Sequence, residues 1–245
     1  MKLKFFFLLL LVSILSLYFY GLNHEKSLDF YKRKSDEGAV SYQIEYLKQM
    51  MFRNPGLENF DKIEGQFEII ASNKDFNDSL GFNLNSVRAS FYLSKVWGGP
   101  YLDKAKEFIQ KGLKNDEPES YILKYHYSVS LFGKDEKALS ILDDCSINGH
   151  DICKLELARE YSMGSNKNKD YKKSIEILDY LTFNSKKSFI SKESPYLAYI
   201  ISSTQGESFM KNYKEYSSSM LKLASERGHP LAQQKLDSIE SSNNN

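Results

Sequence analysis

Lys104-Ala105-Lys106-Glu107-Phe108-Ile109, Lys137-Ala138-Leu139-Ser140-Ile141-Leu142 and Lys173-Ser174-Ile175-Glu176-Ile177-Leu178 carry one short pattern: a lysine, a small residue, two variable positions and two apolar ones. A further copy stands near the start, Lys26-Ser27-Leu28-Asp29-Phe30-Tyr31. The small residues at 105, 138 and 174 lie 33 and 36 positions apart, a period at which helical hairpins repeat. In such an array each unit buries its apolar face only against its neighbours. The pattern therefore predicts an all-α fold, a right-handed superhelical solenoid of antiparallel helix pairs.

Working outward, each copy falls in the second helix of a pair, helix B. A glycine turn follows three times: Ser35-Asp36-Glu37-Gly38-Ala39, Ser146-Ile147-Asn148-Gly149-His150 and Ser225-Glu226-Arg227-Gly228-His229. In all three, the glycine stands eleven residues after the small residue at 27, 138 or 217, the last in Tyr216-Ser217-Ser218-Ser219-Met220-Leu221, a copy that keeps only its apolar end. The first helix of each pair, helix A, ends in glycine at Trp97-Gly98-Gly99, Phe132-Gly133, Met163-Gly164 and Gln205-Gly206. There a left-handed residue would finish it. Asp103, Asp135, Asp170 and Asn212 then stand where helix B needs an N-cap. Asn54-Pro55-Gly56 is a stop signal, and residues 58–71 read as a helix of a degenerate unit. The expected organisation is an export segment (1–22), degenerate repeats (23–83), the regular array (84–240) and a Ser/Asn tail (241–245), with a final helix from Leu231 to Ile239.

A hydrophobic fraction of 41% with 17 Tyr and 16 Phe predicts a folded chain. Acids and bases interleave to a formal charge of +1, which argues against a nucleic-acid partner. The run from Lys167 to Lys173 reads as a solvated loop and helix start. Lys2 and Lys4 precede an uncharged stretch from Phe5 to Tyr20, the layout of an export signal. Two outcomes stay open: a cleaved signal peptide, or a retained tether over residues 5–22 with Tyr18, Phe19 and Tyr20 at the membrane interface. Both send the remainder across the membrane, to the periplasm or its inner-membrane face. The two cysteines, Cys145 and Cys153, sit near the end of one helix and the start of the next. Antiparallel helix ends bring α-carbons to about 5–6 Å, the separation a disulfide uses, and an exported protein keeps such a bond. The alternative is two separately buried thiols.

Gly228-His229-Pro230-Leu231-Ala232-Gln233-Gln234-Lys235-Leu236, and Leu157-Ala158-Arg159-Glu160-Tyr161-Ser162-Met163-Gly164 followed by Asp170, Lys173 and Ser174, resemble Sel1-like repeats, relatives of tetratricopeptide repeats. The resemblance is strongest over residues 120–240. It implies protein recognition through the surface of a curved superhelix, in the manner of exported bacterial adaptors. Cys145-x7-Cys153 also resembles the intra-repeat disulfide of secreted, cysteine-rich Sel1-like proteins. Ser174 and Ser217 stand where such repeats carry Ala, which predicts weaker helix packing there.

For catalysis, Ser219-Met220-Leu221-Lys222 matches Ser-x-x-Lys, but the partner motifs Ser-Asp-Asn and Lys-Thr-Gly are absent. His24-Glu25 fails the zinc-helix pattern. No catalytic, cofactor or metal residue is assigned. Glu156 and Glu160, i to i+4 on one helix, read as a solvated face. Leu157, Tyr161, Leu178 and Leu236 are expected to pack, and Trp97 is either core or an exposed anchor. The expected partner contacts, if the A helices line the concave face, are Tyr125, His126, Tyr196 and Tyr199. The expected role is a non-catalytic envelope adaptor binding another protein. The alternatives are a periplasmic immunity protein against a toxic effector and, behind it, an enzyme acting on cell wall or glycan.

Overall fold

A computed structural model describes residues 28–53, 60–76, 82–94, 100–132, 136–163 and 169–243. Among them are twelve α-helices and no strand: α1 Leu28–Asp36, α2 Val40–Arg53, α3 Phe60–Ser72, α4 Leu84–Ser94, α5 Pro100–Lys114, α6 Pro118–Phe132, α7 Glu136–Ile147, α8 Asp151–Met163, α9 Tyr171–Asn184, α10 Ser188–Gln205, α11 Tyr213–Glu226 and α12 Pro230–Asn243. Two compact units divide the chain, Met1–Leu123 and Lys124–Asn245. In the first, α1 packs on α2, α2 on α3 and α4 on α5; in the second, α7 to α12 pack each on the next, and α8 also reaches α10. The all-α, paired-helix expectation holds. Several expected features lie outside the described residues: the segment 1–22, Lys26-Ser27, Asn54-Pro55-Gly56, Trp97-Gly98-Gly99, Gly133, Asp135, Gly164, and residues 167 and 168 of the basic run. No described helix is long and apolar enough to cross a membrane.

The small residues of the pattern mark where helices cross. Ala105, Ala138 and Ser174 are fully buried and Ser217 nearly so; a larger side chain there would force the backbones apart. Ser174 does not weaken its crossing as expected. Its hydroxyl donates to the Ala158 carbonyl of α8 at 2.6 Å, so the buried oxygen is satisfied and adds a bond between helices.

The glycine turns form as predicted. Gly38, Gly149 and Gly228 have φ of 89°, 92° and 79°, a region that a Cβ disfavours. At the latter two, the next N–H (His150, His229) reaches back to the Cys145 and Ala224 carbonyls at 3.3 and 2.9 Å, closing a Schellman motif. A fourth turn of this kind escaped the sequence reading because it has no glycine. Asp116, eleven residues after Ala105, takes φ of 54°, and the Glu117 N–H meets the Gly112 carbonyl at 2.8 Å. Aspartate tolerates this region better than most residues.

Two expectations of helix ends are corrected. Gly206 is right-handed, with φ of −56°; space rather than handedness explains it, since a Cβ there would lie 2.5 Å from Tyr213 Cβ. Asp103 lies inside the first turn of α5, not before it, because the helix starts at Pro100. Asp170 does cap α9, accepting from the Lys173 N–H at 2.9 Å, whereas Asn212 precedes α11 without a side-chain cap bond.

In α10, Pro195 has no N–H to give the Ser191 carbonyl. Arg227 supplies the missing donor: its Nη1 reaches the Ser191 carbonyl at 2.8 Å and the Thr182 carbonyl, near the end of α9, at 2.6 Å. One side chain in the α11–α12 turn thus satisfies carbonyls on two earlier helices.

Candidate functional site

The A helices of the second unit carry charge into their packed faces. From α6, His126 Nε2 meets Glu156 Oε1 of α8 at 3.3 Å. Glu156 Oε2 accepts from Arg159 Nη1 at 3.2 Å, and Arg159 Nη2 donates to Glu193 Oε1 of α10 at 2.9 Å. The other Glu193 oxygen meets His229 Nε2 at 3.1 Å, where the chain enters α12. One continuous polar ladder therefore links residues of α6, α8 and α10 to the start of α12, passing over the B helices. The His229 ring also stacks on Tyr196, centroids 4.1 Å apart.

The ladder shifts the titration of Glu156 and Arg159. Burial works against ionising Glu156, but the hydrogen bond and charge of His126, together with Arg159, prevail and hold its carboxyl at about 2. Burial likewise opposes the charge of Arg159, and Glu156 and Glu193 outweigh it, raising the guanidinium further. The Tyr125 hydroxyl is pushed up by burial and then by Glu160. A carboxylate held at about 2 is a poor general acid or base near neutrality, so Glu156 is built to stay charged.

Three expectations change here. Glu156 and Glu160 are not a solvated face: Glu160 is 8% exposed and the Glu156 side chain 14%. Tyr125 is fully buried and His126 only 7% exposed, so neither offers contact surface. α6 is buried on more than one side and takes both in. Tyr196 and Tyr199 are half-buried and pack on the cluster of Leu221, Ala224 and Ala232; they keep part of their surface. The Ser-x-x-Lys residues are not poised together: the Ser219 hydroxyl donates to the Glu215 carbonyl at 2.9 Å, and Lys222 faces Glu226. Among the described residues no group of three His, Cys, Asp or Glu is placed to hold a metal.

Beside the ladder, α8, α9 and α10 enclose an open apolar groove of about 200 Å³, with Leu178, Leu197 and Ile201 in its walls and Arg159 at its edge. Met163, 65% exposed, and Ile200, 38% exposed, rim it. The sequence reading missed the groove because its walls come from three helices whose loops vary in length. The ladder left one signal: Glu156 and Arg159 at i, i+3 in a helix otherwise full of buried positions. Cys145 of α7 and Cys153 of α8 form a disulfide with α-carbons 5.9 Å apart, and both residues are buried.

The first unit buries its charge differently. The Arg88 guanidinium of α4 lies 4.3 Å over the Phe108 ring. It bonds Glu64 at 2.8 Å and also Glu68, both on α3. Tyr92 donates to Glu64, and Lys104 of α5 stands 3.6 Å from it.

Several solved structures hold similar chains, two of them described below. The chain is similar to Sel1 repeat proteins. One is a Sel1 repeat protein from Oxalobacter formigenes, at 16% identity and a TM-score of 0.44, covering 86% of this chain and 60% of that one. The other is a protective antigen present in uropathogenic Escherichia coli strains, which displays an SLR fold, at 17% identity and a TM-score of 0.40, covering 86% and 51%. This chain thus spans between half and three-fifths of their lengths. No family model and no curated protein matches the sequence.

Proposed function

We propose that this chain is an exported, non-catalytic binding module of the bacterial cell envelope, an adaptor that holds another protein against the A helices of its second unit. The observation that carries this reading is the apolar groove between α8, α9 and α10, rimmed by the exposed Met163 and Ile200. Exposed apolar surface beside a rigid polar scaffold suits a protein partner, whose side chains replace water there. Tyr196 and Tyr199, on α10 and packed toward α11 and α12, are the remaining aromatic contacts. The buried disulfide supports an oxidising compartment, in line with the basic and apolar start of the sequence.

The test is capture from the native envelope with residues 23–245, comparing the natural sequence with Ile200→Glu. An adaptor yields one stoichiometric partner that Ile200→Glu loses. A toxin-like partner would move the role to immunity, and a partner held equally by Ile200→Glu would remove the groove from the account.

A further inference from the structure

His229 uses both ring nitrogens at once. Nδ1 accepts from the Ala232 N–H at 3.3 Å, capping the first turn of α12, while Nε2 faces Glu193 Oε2 at 3.1 Å. Accepting at Nδ1 requires the lone pair, which the ring offers there only with its proton on Nε2. Protonation turns Nδ1 into a donor set against the Ala232 N–H, which keeps only the His229 backbone carbonyl at 3.1 Å, and places a cation at a helix N-terminus, where the peptide dipoles repel it.

The charged and titratable groups around the ring pull in both directions. From α10, Glu193 favours the protonated ring, while Lys192, whose Nζ stands 3.8 Å from where a Gly228 Cβ would be, opposes it. Tyr196, also of α10, stacks on the ring. From α8, Arg159 already claims the other Glu193 oxygen. From the α11 turn, Arg227 lies two residues away with its guanidinium on the Thr182 and Ser191 carbonyls, and Glu226 pairs with Lys222. On α12 itself, Asp237 bonds Gln233 and Lys235 is exposed. The carboxylate is shared, so it does not replace the lost cap.

We propose that His229 is a proton-sensitive latch for α12: neutral, it docks the helix; protonated, it releases the first turn and loosens the docking. Histidine is the side chain whose charge changes on mild acidification. Ala232 of α12 forms one cluster with Leu221 and Ala224 of α11, against which Leu236, Tyr196 and Tyr199 also pack, so release would uncover apolar surface on α11 and the α10 tyrosines beside it. The latch does not depend on the groove binding a partner.

Hydrogen exchange of the full chain, corrected for intrinsic rates, tests this between pH 7.5 and 5.5. Roughly tenfold loss of protection is expected in the α12 amides, with α9 unchanged, as for a lost cap. His229→Asn keeps a capping oxygen and does not titrate, so its α12 protection should hold at both pH values. Unchanged protection in the natural sequence, or an equal loss in His229→Asn, would overturn the latch. Should the variant fold poorly, nitrogen NMR of the natural chain decides. The Ala232 amide must shift as His229 takes up its proton, and an Ala232 amide indifferent to that step would contradict the proposal.

Discussion

In the first unit Arg88 lies over Phe108 and binds Glu64 and Glu68, with Lys104 nearby, so its cluster spans α3, α4 and α5, helices that follow one another in the chain. In the second unit Arg159 joins Glu156 to Glu193, and His126 and His229 extend the line, so alternate helices are tied. The first arrangement ties an A helix to the B helices on either side of it. The second ties one helix pair to the next. The same few residue types thus serve local packing in one place and repeat-to-repeat stacking in the other. Both place the guanidinium where five donors can meet two carboxylates, which lysine would not do.

The largest expected effect separates the two clusters. Arg159→Ala leaves two carboxylates in packed surroundings without their shared cation and should cost about 3 kcal/mol, with exchange rising together in α8 and α10. Arg88→Ala should cost less, about 2 kcal/mol, because Tyr92 and Lys104 still attend Glu64. Denaturant unfolding with helix-resolved hydrogen exchange measures both, and equal local losses would erase the contrast. Next comes the disulfide, whose cysteines are 8 residues apart. Replacing both by serine should cost about 2.5 kcal/mol on loop-closure grounds, with exchange rising in α7 and α8 while α3 to α5 are unmoved.

Acid sharpens the comparison further. Glu156 is held at about 2 in the folded protein against 4.5 for an ordinary glutamate. Its contribution is therefore complete above about 4.5 and lost as pH falls through about 2. Unfolding followed by circular dichroism should show this loss, and Glu156→Gln should flatten it while lowering stability near neutrality. The smallest effect is a gain. Asp116→Gly relieves a left-handed aspartate but frees the unfolded chain and removes one hydrogen bond from the Tyr121 hydroxyl. A net gain of about 0.5 kcal/mol in the first unit is expected, read as a rise in melting temperature.

The repeat was legible because each of its marks has one physical cause. A small residue sits where helices cross, and a glycine sits where φ turns positive. Asp116 escaped for the converse reason: it does the work of glycine under another letter. The turn after Ser174 departs from the pattern altogether, since Ser185, eleven residues on, is extended. The ladder was harder to read. A buried glutamate and a solvated one look alike in sequence, and what separates Glu156 from an exposed residue is an arginine one turn on and a histidine 30 positions earlier. Tyr125 shows the limit for surfaces: helical spacing names a face, but only the packing of neighbours says whether that face meets water.

The most direct test of the functional account is photo-crosslinking in the living host from position 200, on the groove rim, against position 183, an exposed site on α9. The account predicts one discrete adduct with a second protein from position 200 and none from position 183. An adduct from position 183 with none from position 200 would contradict it.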